Sequence, residues 1–262
     1  MRICFHGLIL TLPKRPPGVC PAPRAKIATR DTMTSARNEL RPTRAMILAA
    51  GRGRRLRPLS DRLPKALMDV EGKPLIEHLL TTLAAAGVRE AVVNLSWLGG
   101  MIRARLGDGS RLGLGIRYSE EGDSALDTGG GIRRALPLLG EEPFWVVNAD
   151  IRTSFPFPVS KRRPRDLAWL MLVPNPAHNP AGDFQLREER VGKVGPRYTF
   201  GGVSILAPEL FRGAEEEIFG LVPLLRAAAD EGRVSGALYE GYWADAGTVE
   251  RLEAIRRRPP EA

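Results

Sequence analysis

Cysteine is almost absent from this 262-residue chain: the two present, Cys4 and Cys20, both fall within the first 44 residues. Everything after Arg44 is thereby denied a disulfide framework, a thiolate metal site and a cysteine nucleophile. That usage fits a cytosolic protein. Long apolar runs are missing too. No stretch approaches the roughly 18–20 residues needed to cross a bilayer, which predicts no membrane partner. Histidine is scarce, with three in the whole chain. His78 sits among the apolar residues of a helical pattern and reads as structural, and His178 lies in a Pro-rich loop with no Cys or second His nearby to form a metal site. The four tryptophans are too scattered to make a base-stacking platform. A nucleophile-elbow serine with its Ser-His-Asp order is lacking, as is the Gly-Lys-Ser/Thr of a Walker A loop.

Charge is plentiful but unevenly placed. The net charge of +9 and pI of about 10.1 suggest nucleic acid at first reading. Nine of the 39 Lys/Arg but only two of the 30 Asp/Glu fall in residues 1–44, so that segment carries +7 and the remaining 218 residues carry +2. A nearly neutral body removes most of the case for a nucleic-acid partner. Residues 1–43 also contain six prolines and no sustained period of 2 or 3.6. Residues 3–12 are apolar after Arg2, but His6 interrupts the run, Pro-Lys-Arg-Pro-Pro follows at 13–17, and no small-residue cleavage site appears. The segment reads as a disordered basic extension, or as sequence upstream of a start nearer Met33 or Met46.

From residue 44 the pattern alternates. Apolar runs at 45–50, 91–95, 116–119 and 144–147 read as strands. Helical spacing appears at 75–83 (closed by Gly87), 97–106 and 129–139. Later segments at 167–173 and 198–206 read as strands with a hairpin at 184–191 between them, and 218–230 and 248–257 as helices. The alternation predicts a three-layer α/β/α sandwich of Rossmann-like plan, with a mixed, mainly parallel sheet. A strand-rich substrate-binding part follows. The expected domain spans 44–258, with a short tail at 259–262.

Three constellations carry chemistry. The first is Leu48-Ala49-Ala50-Gly51-Arg52-Gly53-Arg54-Arg55-Leu56-Arg57-Pro58-Leu59-Ser60, followed by Pro64-Lys65. Glycines at a strand end let backbone approach phosphate and aim N–H groups at it. The cations beside them suit a triphosphate under attack, whose developing charge and departing pyrophosphate need neutralising. The second is Asp150, after the strand at 144–147, together with Asp245 in Tyr242-Trp243-Ala244-Asp245-Ala246-Gly247-Thr248. Carboxylates at strand ends sit where open α/β sheets bind ligands, and one or two carboxylates suffice for Mg²⁺ when phosphates and waters complete its shell. The same residues also suit a surface loop and a helix N-cap. The third is Leu126-Asp127-Thr128-Gly129-Gly130-Gly131, a glycine-rich helix start able to expose backbone donors or to be capped by Thr128 or Asp127.

The first run resembles the N-terminal signature of the sugar-1-phosphate nucleotidyltransferases, L-A-A-G-x-G-x-R-x-x-P-L-[ST] followed by P-K-P, with Ala66 in place of the second proline. Asp150 and Asp245 fall in segments similar to that family's G-D and W-x-D-x-G-T motifs, with Ala149 replacing the glycine. The Leu126–Gly131 run resembles L-E-T-G-G-G of the branch that uridylylates N-acetylmuramate 1-phosphate, with Asp127 replacing Glu. Segments such as Trp97-Leu98-Gly99, Glu121-Gly122 and Gly182-Asp183-Phe184 extend the likeness from about residue 45 to 256.

The resemblance implies a Mg²⁺-dependent transfer between UTP and a sugar 1-phosphate. It assigns Ala50, Gly51, Gly53, Arg54, Arg55, Lys65, Gly122, Thr128 and Gly129 to the nucleotide, with Arg55 and Lys65 catalytic. Asn148 and Asp183 go to the sugar phosphate, and Asp150 and Asp245 to the metal. Asn148 also suits a strand-end turn, and Asp183 a plain loop charge. Other sugars and nucleotides of the family, and a catalytically silent nucleotide sensor, are the competing readings.

Overall fold

A computed structural model describes residues 41–122, 125–158 and 165–257. Most of the predicted basic extension (1–40) and the predicted tail lie outside the described residues. The chain passes through β1 (Arg44–Leu48), a short hairpin of β2 (Asp69–Val70) and β3 (Lys73–Pro74), and α1 (Leu75–Ala85). It continues through β4 (Glu90–Leu95), α2 (Gly99–Leu106), β5 (Gly115–Glu120), α3 (Asp127–Leu139), β6 (Phe144–Asn148) and β7 (Ile151–Thr153). Then come β8 (Ala168–Val173), β9 (Phe184–Arg187), β10 (Arg190–Gly192), β11 (Arg197–Leu206), α4 (Leu221–Asp230), β12 (Val234–Leu238), β13 (Trp243–Asp245) and α5 (Val249–Arg257).

Nine of these strands form one sheet in the order β5-β4-β1-β6-β11-β8-β12-β10-β9. Its first four strands are all parallel, joined by crossovers that carry helices. From β6 onward the pairings are antiparallel, apart from β8 with β12. Parallel character is thus concentrated in the half that holds β1.

β1 shows why the sheet is covered on both faces. Ala45, Met46 and Ile47 are all fully buried, yet they alternate between two cores. Ala45 and Ile47 pack with Leu79, Leu80 and Leu83 of α1 and Ile102 of α2. Met46 packs with Ile132 and Ala135 of α3 and Leu225 of α4. Period-2 alternation of apolar residues to two faces is the mark of a central strand between helical layers. A third, smaller core joins Leu252 and Ile255 of α5 to Leu56, Met68 and Leu75.

Two helices start later than their apolar pattern. The start of α2 is delayed to Gly99 because Leu98 adopts φ 55 while the Trp97 indole donates to the Ser60 carbonyl at 3.1 Å. α4 begins at Leu221 rather than 218, because residues 218–220 are drawn out to meet α3: the Phe219 carbonyl accepts from the amides of Gly129 and Gly130. His78 is structural, its Nε2 lying 2.8 Å from the Val70 carbonyl oxygen. On the outer side of α1, Glu77 is 2% exposed and accepts from Arg105 Nε at 2.6 Å and Arg111 Nη2 at 2.5 Å. Burial alone would raise its carboxyl, but the guanidinium groups of Arg111 and Arg105 hold it below the ordinary range. Among the described residues, no helix is long and apolar enough to cross a membrane.

Candidate active site

The chain leaves β1 for β4 on one side of the sheet and later returns to β6 on the other. That makes the carboxyl end of β1 a switch point, where open α/β sheets bind ligands. A cavity of about 660 Å³ opens there. It gathers Ala50, Gly51, Gly53, Arg54 and Lys65 from the loop after β1, Thr128 from α3, and Asn148 and Asp150 from the end of β6.

The loop is shaped by its own backbone. Gly53 has φ +64, and its carbonyl accepts from Leu56 N and Ser60 Oγ, each at 2.8 Å. The four arginines then part company. Arg52 lies over the Trp97 ring at 4.1 Å, and Arg57 pairs with Asp61 at 3.1 Å. Arg54 lines the cavity, whereas Arg55 is exposed on the adjoining turn and does not line it.

Lys65 reaches across the cavity to form a close ion pair with Asp150, both side chains about four-fifths buried. Asp150 is joined to Asp245 through backbone: β7 pairs with β13, and Ala246 N donates to the Asp150 carbonyl at 2.8 Å. The Asp245 carboxylate faces a second cavity, of about 500 Å³. Its Oδ1 accepts from Gly247 N at 3.0 Å and pairs with Arg251 Nη2 at 3.1 Å. Its Oδ2 is buried without a hydrogen bond, although His178 Nε2 lies 3.2 Å away. Backbone pairing sets Asp150 and Asp245 in adjacent positions while their side chains line different cavities; two carboxylates are the donor type that suits a hard divalent cation completed by phosphates and water. Among the described residues, no cluster of three or more His, Cys, Asp or Glu is set to hold a metal.

Residues 44–173 match the nucleotidyl transferase family. The chain is 49% identical over 222 residues to an N-acetylmuramate alpha-1-phosphate uridylyltransferase of Neisseria meningitidis, covering 80% of this chain and 95% of that one. The chain belongs to the sugar-1-phosphate nucleotidyltransferases. An enzyme of the same name from Caulobacter vibrioides is 35% identical over 239 residues, 84% of this chain and 98% of that one. The fold is shared with the inositol-1-phosphate CTP transferase of T. maritima at a TM-score of 0.69 and 18% identity, covering 86% of this chain and all of that one.

Not every expected residue of this nucleotidyltransferase meets the first cavity. Gly122, at φ +77, forms a turn whose carbonyl accepts from Ser96 Oγ at 3.1 Å. Asp183 stabilises its own loop: Oδ2 accepts from Phe200 N at 2.8 Å and Oδ1 from Asn179 Nδ2 at 3.2 Å. Gly129 donates its N–H to Phe219 at 2.9 Å instead of presenting it to a ligand. The three glycines of α3 serve close packing. A Cβ on Gly129 would lie 2.3 Å from the Phe219 ring, and one on Gly130 would lie 2.2 Å from the Glu217 carbonyl oxygen. Thr128 does not cap its own helix; its Oγ1 accepts from Leu221 N, at the start of α4, at 2.9 Å.

Conversely, Asn94 and Glu121 line the cavity of the nucleotidyltransferase and were not among the residues expected from motifs. Two signals pointed to them: a polar residue, Asn94, within the apolar run of β4, and the place of Glu121 in the Glu121-Gly122 segment that shares the family likeness. His178 is a further surprise, since its loop brings it to Asp245 rather than to another histidine or a cysteine.

Proposed function

We propose that the protein transfers a uridylyl group from UTP to N-acetylmuramate 1-phosphate, giving UDP-N-acetylmuramate and pyrophosphate. The observation that carries this reading is the 49% identity over nearly the full length of a relative bearing that activity in its name. The site supports the chemistry independently, through a glycine loop and a lysine–aspartate pair in one cavity. On this reading the catalytic domain is residues 44–258, and the reaction belongs to peptidoglycan recycling in the cytoplasm.

Gly51, Gly53 and the Ala50 backbone cradle the triphosphate, with Arg54 beside it in the cavity and Arg55 approaching from the adjoining turn. Gly122 and Thr128 border the nucleoside end, with Gly129 behind Thr128. Asn148 and Asp183 orient the sugar phosphate. Asp150 and Asp245 would hold Mg²⁺, which when bound would offset the charge of the phosphates. Lys65, swinging from Asp150, stabilises the charge on the α-phosphoryl group. An acceptor phosphate oxygen forms a bond to the α-phosphorus as the bond to the β-phosphate oxygen breaks. Phosphate is already anionic at neutral pH, so no general base and no covalent enzyme intermediate are needed. Catalysis rests on alignment and charge neutralisation.

The test is pyrophosphate release with Mg²⁺. UTP plus N-acetylmuramate 1-phosphate is run beside UTP, dTTP and GTP with the glucose, mannose and N-acetylglucosamine 1-phosphates. Turnover confined to the muramate pair is expected. Turnover with another pair would discard the substrate and keep the reaction. Nucleotide binding without turnover in any combination would leave a sensor.

A further inference from the structure

Beneath the floor of the cavity runs a buried chain of three hydrogen bonds linking two loops far apart in sequence. Ala49 N, in the phosphate loop, donates to Asn94 Oδ1 at 2.6 Å. Asn94 Nδ2 donates to Glu121 Oε1 at 2.5 Å. Leu126 N, in the segment entering α3, donates to Glu121 Oε2 at 2.8 Å. Asn94 is 3% exposed and Glu121 6%, and both line the cavity. Room for them comes from Gly131, where a Cβ would stand 2.3 Å from Glu121 Oε1 and 2.9 Å from Asn94 Nδ2.

The polarity of this chain is forced. Both ends are backbone N–H groups, which can only donate. The two side chains between them must therefore accept at each end and contribute one donor in the middle. An amide at 94 with a carboxylate at 121 satisfies all three links. A glutamine at 121 does not: if it accepts from Leu126, its NH₂ confronts the NH₂ of Asn94, and turning Asn94 over leaves Ala49 N facing another donor. Buried groups left unpaired in this way cost more than the bond itself is worth.

We propose that Asn94 and Glu121 are positioning residues that lock the phosphate loop to the loop entering α3, so that triphosphate and nucleoside ends of the nucleotide site are held in one fixed register. This deepens the reading that a nucleotide occupies the cavity and rests on it. Neither side chain acts on the reacting atoms; their effect falls on nucleotide binding.

The polarity yields a reciprocal test. N94D sets two carboxylates side by side, and E121Q sets amide against amide. The double variant N94D/E121Q restores every link in reversed sense, because the carboxylate at 94 accepts from Ala49 and from the amide at 121, whose oxygen accepts from Leu126. UTP affinity of the full chain is measured by calorimetry, with KM for each substrate, kcat and the thermal midpoint alongside. Each single variant should weaken UTP binding and raise KM for UTP about tenfold or more, with KM for the sugar phosphate and kcat changed by less than about threefold. The double variant should return UTP affinity to within about threefold of wild type, the coupling expected of side chains in direct contact. The proposal is overturned if the single variants bind UTP like wild type, if both KM values and kcat deteriorate together, or if the double variant is no better than the weaker single. Failure of the wild type to bind UTP, dTTP or GTP would instead defeat the nucleotide reading, and this proposal with it.

Discussion

Lys65 illustrates how a charge can be kept both available and in place. Its ammonium is paired with Asp150, and both side chains are about four-fifths buried, so removing either one leaves the other's charge largely desolvated and without its partner. Lys65→Ala or Asp150→Ala should therefore lower stability in urea by about 1–3 kcal/mol and, in protein that is still folded, lower kcat about 10²–10³-fold, as for loss of other groups that stabilise charge only in the transition state. Near-normal turnover would remove both residues from the mechanism. Glu77 is the opposite case. It is buried against two arginines, and its folded pKa lies below the ordinary value of 4.5. Its stabilisation is complete above that ordinary value and drains away as pH falls through the lower folded one. Glu77→Gln should cost about 3 kcal/mol at pH 7, and the gap to wild type should narrow in acid; urea titrations at pH 7 and pH 4 would read both. Residues of this second kind were not legible in the sequence. Lys65, Asp150 and the glycine loop announce themselves because their chemistry is contiguous or falls at a strand end. Asn94 is a lone polar residue in an apolar strand and Glu121 falls in a family-like segment, but their joint role shows only when β4 and the end of β5 bring them into contact.

For secondary-structure elements, the two glycine-rich segments look alike in sequence and differ in kind. A Cβ on Gly51 meets nothing within 4 Å, and Gly51 has no positive φ. Gly51→Ala should leave the thermal midpoint unchanged, so any rise in KM for UTP would report ligand approach alone. In α3 the glycines are filled in from behind by Phe219 and Glu217. Gly130→Ala should destabilise by about 1–3 kcal/mol through overpacking, read as a lower thermal midpoint. Long elements with a strong period, such as α1 and β4, could be placed from sequence to within a residue or two. The two- and three-residue strands β2, β3, β7 and β13 could not, because so few residues carry no period and their pairing is set by distant partners. The late start of α4 has the same origin, in a Phe219 carbonyl claimed by another helix.

In the protein as a whole, the βαβ alternation made the parallel half of the sheet legible. The antiparallel half was less so, since β12 inserts beside β8 through contacts that no local pattern encodes. The charge distribution supports a separate expectation. With +7 of the net charge in residues 1–44, we propose that binding and turnover reside in 44–258. A chain shortened to those residues should keep kcat within about twofold, with the thermal midpoint little changed; surface charge acts on solubility and association rather than on the fold. A large loss of turnover on shortening would assign the extension a part in the reaction.

The narrow ribbon of β7 and β13 also sets a schedule. Thr153 Oγ1 donates to the Tyr242 carbonyl across 89 positions of sequence, and only this late pairing brings Asp245 beside Asp150. Domains fold as units, so a pairing that joins residues near 150 to residues near 245 closes only when nearly the whole domain is in place. A chain cut before β13 would leave β7 without its partner strand and the Asp150 carbonyl without the Ala246 amide that donates to it.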